Sequence, residues 1–278
     1  MNPHKPARIP RRNWSQEETM MAFALYMILP PREYDDKGVV VQRLASSIRR
    51  SASSVTLKIW NIAAHDTNRL VKGHIGMQHG SKLDVQVWDS YEDGGDRYTE
   101  QCIGLLKEAL LQNGNHLSPV ANDQKSSLEN TMLLLTGETP TGFERKTTVL
   151  QRINQSYFRN SLLQNYHGTC CVTGMTISAL LVASHIKPWK ASTPHEKTAA
   201  TNGVLLNAFH DSAFDQGLIT IDDDYRIVIA HNAVQHSETN DKWLYTFEGH
   251  HIEMPAANPP SHRFLAYHHK HIFLDCLA

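Results

Sequence analysis

The chain has 278 residues, 41% of them hydrophobic, and a formal net charge of -1, a composition that suits a globular protein of one large domain or two ordinary ones, two being expected. No run reaches the roughly 18 to 20 apolar residues of a membrane helix, and no apolar core follows the basic N-terminus, so neither membrane insertion nor secretion is expected. The four cysteines, at 102, 170, 171 and 276, make neither a disulfide framework nor a CxxC zinc knuckle, which fits a cytoplasmic protein.

The near-neutral total conceals an asymmetry. Residues 1–72 hold twelve Lys and Arg against six Asp and Glu, whereas residues 73–130 hold four against nine. Only the first segment suits a phosphate-bearing partner, and a solvated basic face gives the same count. Residues 1–12 lack periodicity and carry three prolines and three arginines, as a flexible arm would. Ser15 followed by Glu18 is a capping-box signal, and Met20, Met21, Phe23, Ala24 and Met27 give an apolar face to a helix that stops before Pro30 and Pro31. A second helix is expected over 39–49 and a third over 55–64, joined by the Ser-rich turn at 50–54. This unit resembles a helix-turn-helix, in which Ser53, Ser54, Thr56, Lys58 and Asn61 face bases or phosphates and Arg49 and Arg50 lie over the backbone. Plain three-helix packing gives the same pattern.

A Gly-, His- and Ser-rich connection follows over 72–84, then a short apolar stretch ending near Trp88 and a helix over 98–112. The polar stretch after Asn113-Gly114-Asn115 marks a boundary, giving a helical DNA-binding domain at 1–112, a linker at 113–139 and a second domain at 140–278. That domain opens with an amphipathic helix over about 153–166, on which Arg152 and Arg159, two turns apart, share a face and are candidate phosphate contacts, although solvated helix arginines are common. His167-Gly168 ends it. A strand and turn are expected over 170–174, a second strand over 180–186, and a hairpin from 218–221 and 226–230 around Asp222-Asp223-Asp224. The terminal HHKH at 268–271 is expected to close the fold with its histidines largely exposed.

The chemistry concentrates between Ala183 and Ile221. Phosphodiester hydrolysis needs an activated water, a cation to stabilise the crowded oxygens, and a group that holds the base at the right tilt. His185 can be the base, since neutral imidazole accepts a proton near pH 7. Asn202, donor and acceptor at once, can fix the segment that bears it. Asp211 and Asp215, four apart on a helix closed by Gly217, share a face and can offer oxygens to one hard cation, so Mg²⁺ or Mn²⁺ is expected. His210 is a further candidate ligand or phosphate donor, and Lys187, two residues past the base, a candidate phosphate contact. A satisfied core histidine and a solvated helix pair are the plain structural alternatives.

The blocks CCVTG, ASHIKPW and NGVLLNAFHDSAFDQGLITI, in that order, resemble the HNH endonuclease family with the ββα-metal fold, in the branch of predicted restriction endonucleases, over roughly residues 145–229. NWSQEET, RRSASSVTLKIWNIAAHD and GSKLD resemble, more loosely, an N-terminal half joined to such nucleases. The resemblance implies an α+β architecture, His185 as general base, Asn202 as the loop-fixing Asn, Asp211 or the neighbouring His210 at the final motif histidine, and Asp215 as its partner ligand. Ser184 stands where many relatives place an Asp or His ligand, and no structural zinc is expected. The expected activity is metal-dependent cleavage of double-stranded DNA by a homodimer. The alternatives are a DNA-binding protein with a degenerate nuclease module and an RNA-directed nuclease.

Overall fold

The structure, a computed structural model, describes residues 12–69, 80–112, 131, 135 and 143–276. It is α+β, and it divides into two compact units: residues 1–66 with 71–156, and residues 67–70 with 157–278. The N-terminal arm at 1–11 and nearly all of the stretch at 113–139 fall outside the described residues.

The first unit is helical where described. Helix α1 (Gln16–Ile28) starts at Ser15, whose hydroxyl accepts the Glu18 amide at 3.1 Å while the Glu18 carboxylate accepts the Ser15 amide at 3.0 Å. These two bonds satisfy donors that a bare helix end leaves open. The sequence predicts a single apolar face, but Ala22, Phe23, Ala24, Leu25, Tyr26 and Met27 are all at most 1% exposed. The helix is enclosed because both α3 (Ala52–Ala63) and α4 (Lys82–Gln112) pack on it, and a helix buried all round is a core helix. Helix α2 (Val39–Ser47) precedes α3, which is capped by Ser51. The two separate elements expected around Trp88 and after Tyr98 are two helical segments, together labelled α4, that meet at a kink at Gly95, where φ is +48° and ψ is -126°, outside the helical region. Only a residue without Cβ adopts that angle cheaply.

Two cations expected to face DNA lie inside this unit. Arg50 donates to Glu18 at 2.7 Å and to the carbonyls of Arg12 and Asn13, and it lies over the Trp14 ring. Lys58, 3% exposed, pairs with the fully buried Asp84 at 2.6 Å. A helix-turn-helix reader needs these groups on its surface, and here both are consumed by partners tens of residues away, which local spacing does not reveal. Asn61 is buried as well. Arg49 remains exposed, at φ +52°, Ser53 is exposed, and Ser54 sits in the first turn of α3 with its amide on Ser51.

Helix α5 (Phe143–Asn165) starts ten residues before the expected position, and the division between the units falls inside it, at Tyr157. In the second unit, β1 (Leu181–His185) pairs antiparallel with β2 (Gly203–Asn207), with His185 opposite Gly203 and Leu181 opposite Asn207. Every residue of β2 is buried. Helix α7 (Ala208–Asp215) follows directly, because the Asn207 side chain accepts the amides of Phe209 and His210 and caps it. Phe158, Leu162, Val204, Leu206, Phe214 and Phe264 lie in one apolar core. The expected strand at 170–174 is instead a turn closed by the Gly174 amide on the Cys170 carbonyl. Backbone bonds of Cys171 to Leu205 and Glu253 hold it, and side chains add to them: Cys170 Sγ accepts the Asn207 amide, and Thr173 Oγ1 accepts from Asn207 Nδ2.

A second hairpin, β3 (Ile219–Ile221) with β4 (Ile227–Ile229), turns at Asp222, whose carboxylate accepts the amides of Asp224 and Arg226. That acidic turn is a hydrogen-bonded corner of the kind Asp favours. The chain passes through a short helix α8 (Glu238–Trp243) and closes with α9 (His262–His271). His269 and His271 are exposed, as expected, but His268 is not. It stacks on Phe214 with ring centroids 3.7 Å apart and bonds Thr220 Oγ1 and the Phe214 carbonyl.

Candidate active site

His185 ends β1 and is half-buried against aromatic rings and the loop that follows. Its imidazole stacks on Phe158, centroids 3.8 Å apart and planes 14° apart, and meets the edge of Trp189 at 5.5 Å. Nε2 lies 3.0 Å from the Lys197 carbonyl. A carbonyl only accepts, so Nε2 carries the proton and the lone pair sits on Nδ1. Burial lowers the pKa of the imidazole below the usual histidine range, and the Lys197 bond opposes this in part. The neutral form of the ring is favoured, and its orientation is fixed by these contacts.

The loop over 186–202 owes its shape to Asn202, which is fully buried. Its Oδ1 accepts the Lys187 amide at 2.8 Å, and its Nδ2 faces the carbonyls of Lys187 and Glu196 and the Ser192 hydroxyl. One side chain so ties both limbs of the loop, and the Lys197 carbonyl that holds His185 is next to one of the tied groups. Thr193 and Glu196 form a second capping box on the short helix α6 (Pro194–Thr198). Lys187 does not project freely: it pairs with Glu196 at 2.7 Å and lies near the Tyr267 ring.

On α7, Asp211 is half-buried and Asp215 is exposed. Burial raises the pKa of Asp211, with the Ser184 hydroxyl opposing it, and the pKa of Asp215 is raised by burial and then by the charge of Asp211. The two carboxylates thus repel one another, and among the described residues neither has a salt-bridge partner. Ser184 Oγ is buried beside Asp211 and completes no hydrogen bond of normal geometry. Two mutually repelling carboxylates one turn apart, with no cationic partner among the described residues, are what a hard divalent cation relieves, so these residues fit such an ion. Among the described residues no group of three His, Cys, Asp or Glu side chains is gathered about a metal position.

His210 is placed differently from the sequence expectation. It is 2% exposed, with Nδ1 toward Asn207 Oδ1 at 3.2 Å, its ring edge-on to Phe209 and Phe247, and Nε2 turned toward the Trp243 backbone without a completed bond. One step along a helix turns a side chain by about 100°, so His210 faces the core while Asp211 faces outward. Arg159 is also engaged: its guanidinium donates to the Leu181 carbonyl at 2.6 Å and the Ser178 carbonyl at 3.1 Å, fastening α5 to the start of β1. Arg152 is exposed, in the part of α5 that belongs to the first unit.

The structure gathers His185, Asn202 and Ser184 on the β1 hairpin and its loop, with Asp211 and Asp215 on the adjoining helix. Spacing alone did not single out Phe158. The signal was its place on the apolar side of α5, but nothing local says which partner an apolar face meets. In comparison with known proteins, residues 170–222 match the family model described as HNH endonuclease. The match opens at the Cys170 turn and closes after β3, so it encloses all five of these residues and excludes Phe158. No curated protein matches the chain.

Proposed function

We propose that this chain, whose residues 170–222 belong to the HNH endonuclease family, is a divalent-metal-dependent endonuclease that hydrolyses double-stranded DNA. The observation that carries the proposal is the orientation of His185: Nε2 is committed to the Lys197 carbonyl, which leaves Nδ1 as a neutral base. His185 takes a proton from water, the water oxygen attacks phosphorus, and the bond to the leaving oxygen breaks. Asn202 acts upstream of this by fixing the loop whose carbonyl holds the imidazole. Asp211 and Asp215 would hold Mg²⁺ or Mn²⁺, which when bound supplies positive charge to the phosphate oxygens and the leaving oxygen. Arg49 and Arg152, both exposed, are the phosphate contacts this reading retains from the sequence, and a homodimer would let two sites cut two strands.

Ser184 supports a second reading, in which the module binds DNA without cutting it, because a hydroxyl is a weaker ligand than a carboxylate or imidazole. Incubating the chain with duplex DNA, single-stranded DNA and RNA in Mg²⁺ and in Mn²⁺ separates the possibilities. The proposal expects duplex cleavage that chelation stops and that Asp211→Asn abolishes. Preferential cleavage of RNA would replace the substrate, and tight DNA binding without cleavage in either metal would favour the second reading.

A further inference from the structure

We infer that Phe158, on a helix outside the family-matched segment, is a positioning residue for the base: its ring clamps the imidazole of His185 against the loop, and Gly203 is glycine so that this ring can reach it. The inference rests on the reading of His185 as the general base.

Three observations meet at this point. The Phe158 and His185 rings are near-parallel at 3.8 Å, while Trp189 closes a second side edge-on. A ring with one face covered, one edge covered and Nε2 bonded to a carbonyl has lost its rotation about the Cβ–Cγ bond, so the direction of Nδ1 is set before any substrate arrives. The second observation is the strand register, which puts Gly203 directly opposite His185. The third is the space above Gly203: a Cβ there would lie 2.5 Å from Phe158 Cζ and 2.6 Å from Leu162 Cδ1. A Cβ at this position would force the Phe158 ring and the end of the Leu162 side chain to shift away from the hairpin. Because φ at Gly203 is -145°, an ordinary extended value, the requirement is for room and not for an unusual backbone angle.

Phe158 is 1% exposed and lies in the same core as Leu162 and Val204, so a purely structural role is the competing explanation. The two differ in what they move. Loss of packing lowers stability, whereas loss of positioning lowers kcat at saturating DNA and leaves the substrate affinity in place.

The test uses the full chain with Phe158→Leu, Phe158→Met and Gly203→Ala, the first two removing the flat face and the third displacing it from the opposite strand. Each is checked for a cooperative thermal transition, then assayed for kcat and KM on duplex DNA. The imidazole ring signals of His185, assigned by their absence in His185→Ala, are recorded by NMR in the metal-free chain. The wild-type signals are expected to be displaced upfield by the Phe158 ring and to return toward free-histidine positions in all three variants. Folded variants are expected to lose roughly 10- to 100-fold in kcat, the scale of a misplaced catalytic group, with KM changed less than about threefold. Wild-type kcat in folded Phe158→Leu or Phe158→Met would overturn the inference, as would ring signals of His185 that lack the upfield displacement in the wild-type chain. Absence of any cleavage by wild type, with the displacement present, would instead overturn the nuclease reading and leave a clamped but non-catalytic histidine. Should a variant fail to fold, the wild-type ring signals and the remaining variants still decide.

Discussion

If Asp211 and Asp215 hold the proposed cation, their carboxylates weaken the metal-free fold and the ion offsets that weakening. Both carboxyl groups have a folded-state pKa raised above the ordinary value, so the native state holds protons that the unfolded chain has released. Stability therefore falls as pH rises from the unfolded pKa through the folded one, and the ionised pair remains unfavourable at pH 7. Replacing either with Asn is expected to raise the melting temperature of the metal-free protein at pH 7, and to cancel the rise that millimolar Mg²⁺ or Mn²⁺ gives the wild type. At a hundredfold excess over Kd that rise corresponds to about 2.7 kcal/mol. Calorimetry with and without metal checks both halves. His268 works in the opposite sense. Burial lowers its pKa to about 4, so the neutral form is favoured in the fold and the associated stability is present above the unfolded value of 6.5. It is lost as pH falls from there to about 4, an effect on the order of 3 kcal/mol. Urea midpoints of His268→Gln, measured against wild type between pH 7 and pH 4, should show a flatter acid limb.

Among the elements, the loop over 186–202 matters most, because its order fixes the orientation of the strand-end histidine proposed as the base. Asn202 closes both limbs from inside the protein, so Asn202→Ala removes several buried bonds at once and leaves their partners unsatisfied. A loss of about 3 kcal/mol in urea unfolding is expected, together with a fall in kcat, since the Lys197 carbonyl is no longer held against Nε2. Much of this element was legible in the sequence. The Asn-Gly pair, the short apolar strand and the Asp pair at helical spacing are local patterns, and local patterns survive into structure. What was not legible came from longer distances. The turn at 170–174 had the composition of a strand, but its side-chain bonds to Asn207 decide its course. His210 sits beside Asp211 in sequence and on a different side of the helix in space.

At the scale of the whole molecule, the two units differ in how far their chemistry could be anticipated. In the first, the basic excess of residues 1–72 suits a phosphate-bearing partner or a solvated face, yet Arg50 and Lys58 are interior cations with carboxylate partners 32 and 26 residues away. Charge counts carry no information about such pairing. Arg50→Gln and Lys58→Gln should each destabilise the fold by about 3–5 kcal/mol, the cost of stranding one member of a buried pair, while the salt dependence of DNA binding stays as in wild type. Arg49→Gln and Arg152→Gln should do the reverse, leaving stability in place and lowering the slope of log K against log salt by about one each. In the second unit, Phe158, on the helix that precedes the matched segment, stacks on His185, so the contacts of the proposed base extend beyond residues 170–222. The central claim, that His185 abstracts the proton, is tested most directly by supercoiled plasmid cleavage in Mn²⁺ or Mg²⁺ by wild type and by His185→Ala. Wild type is expected to cleave, and the variant to cleave at a rate at least about a hundredfold lower, the usual worth of a general base. Equal rates from the two proteins would contradict it.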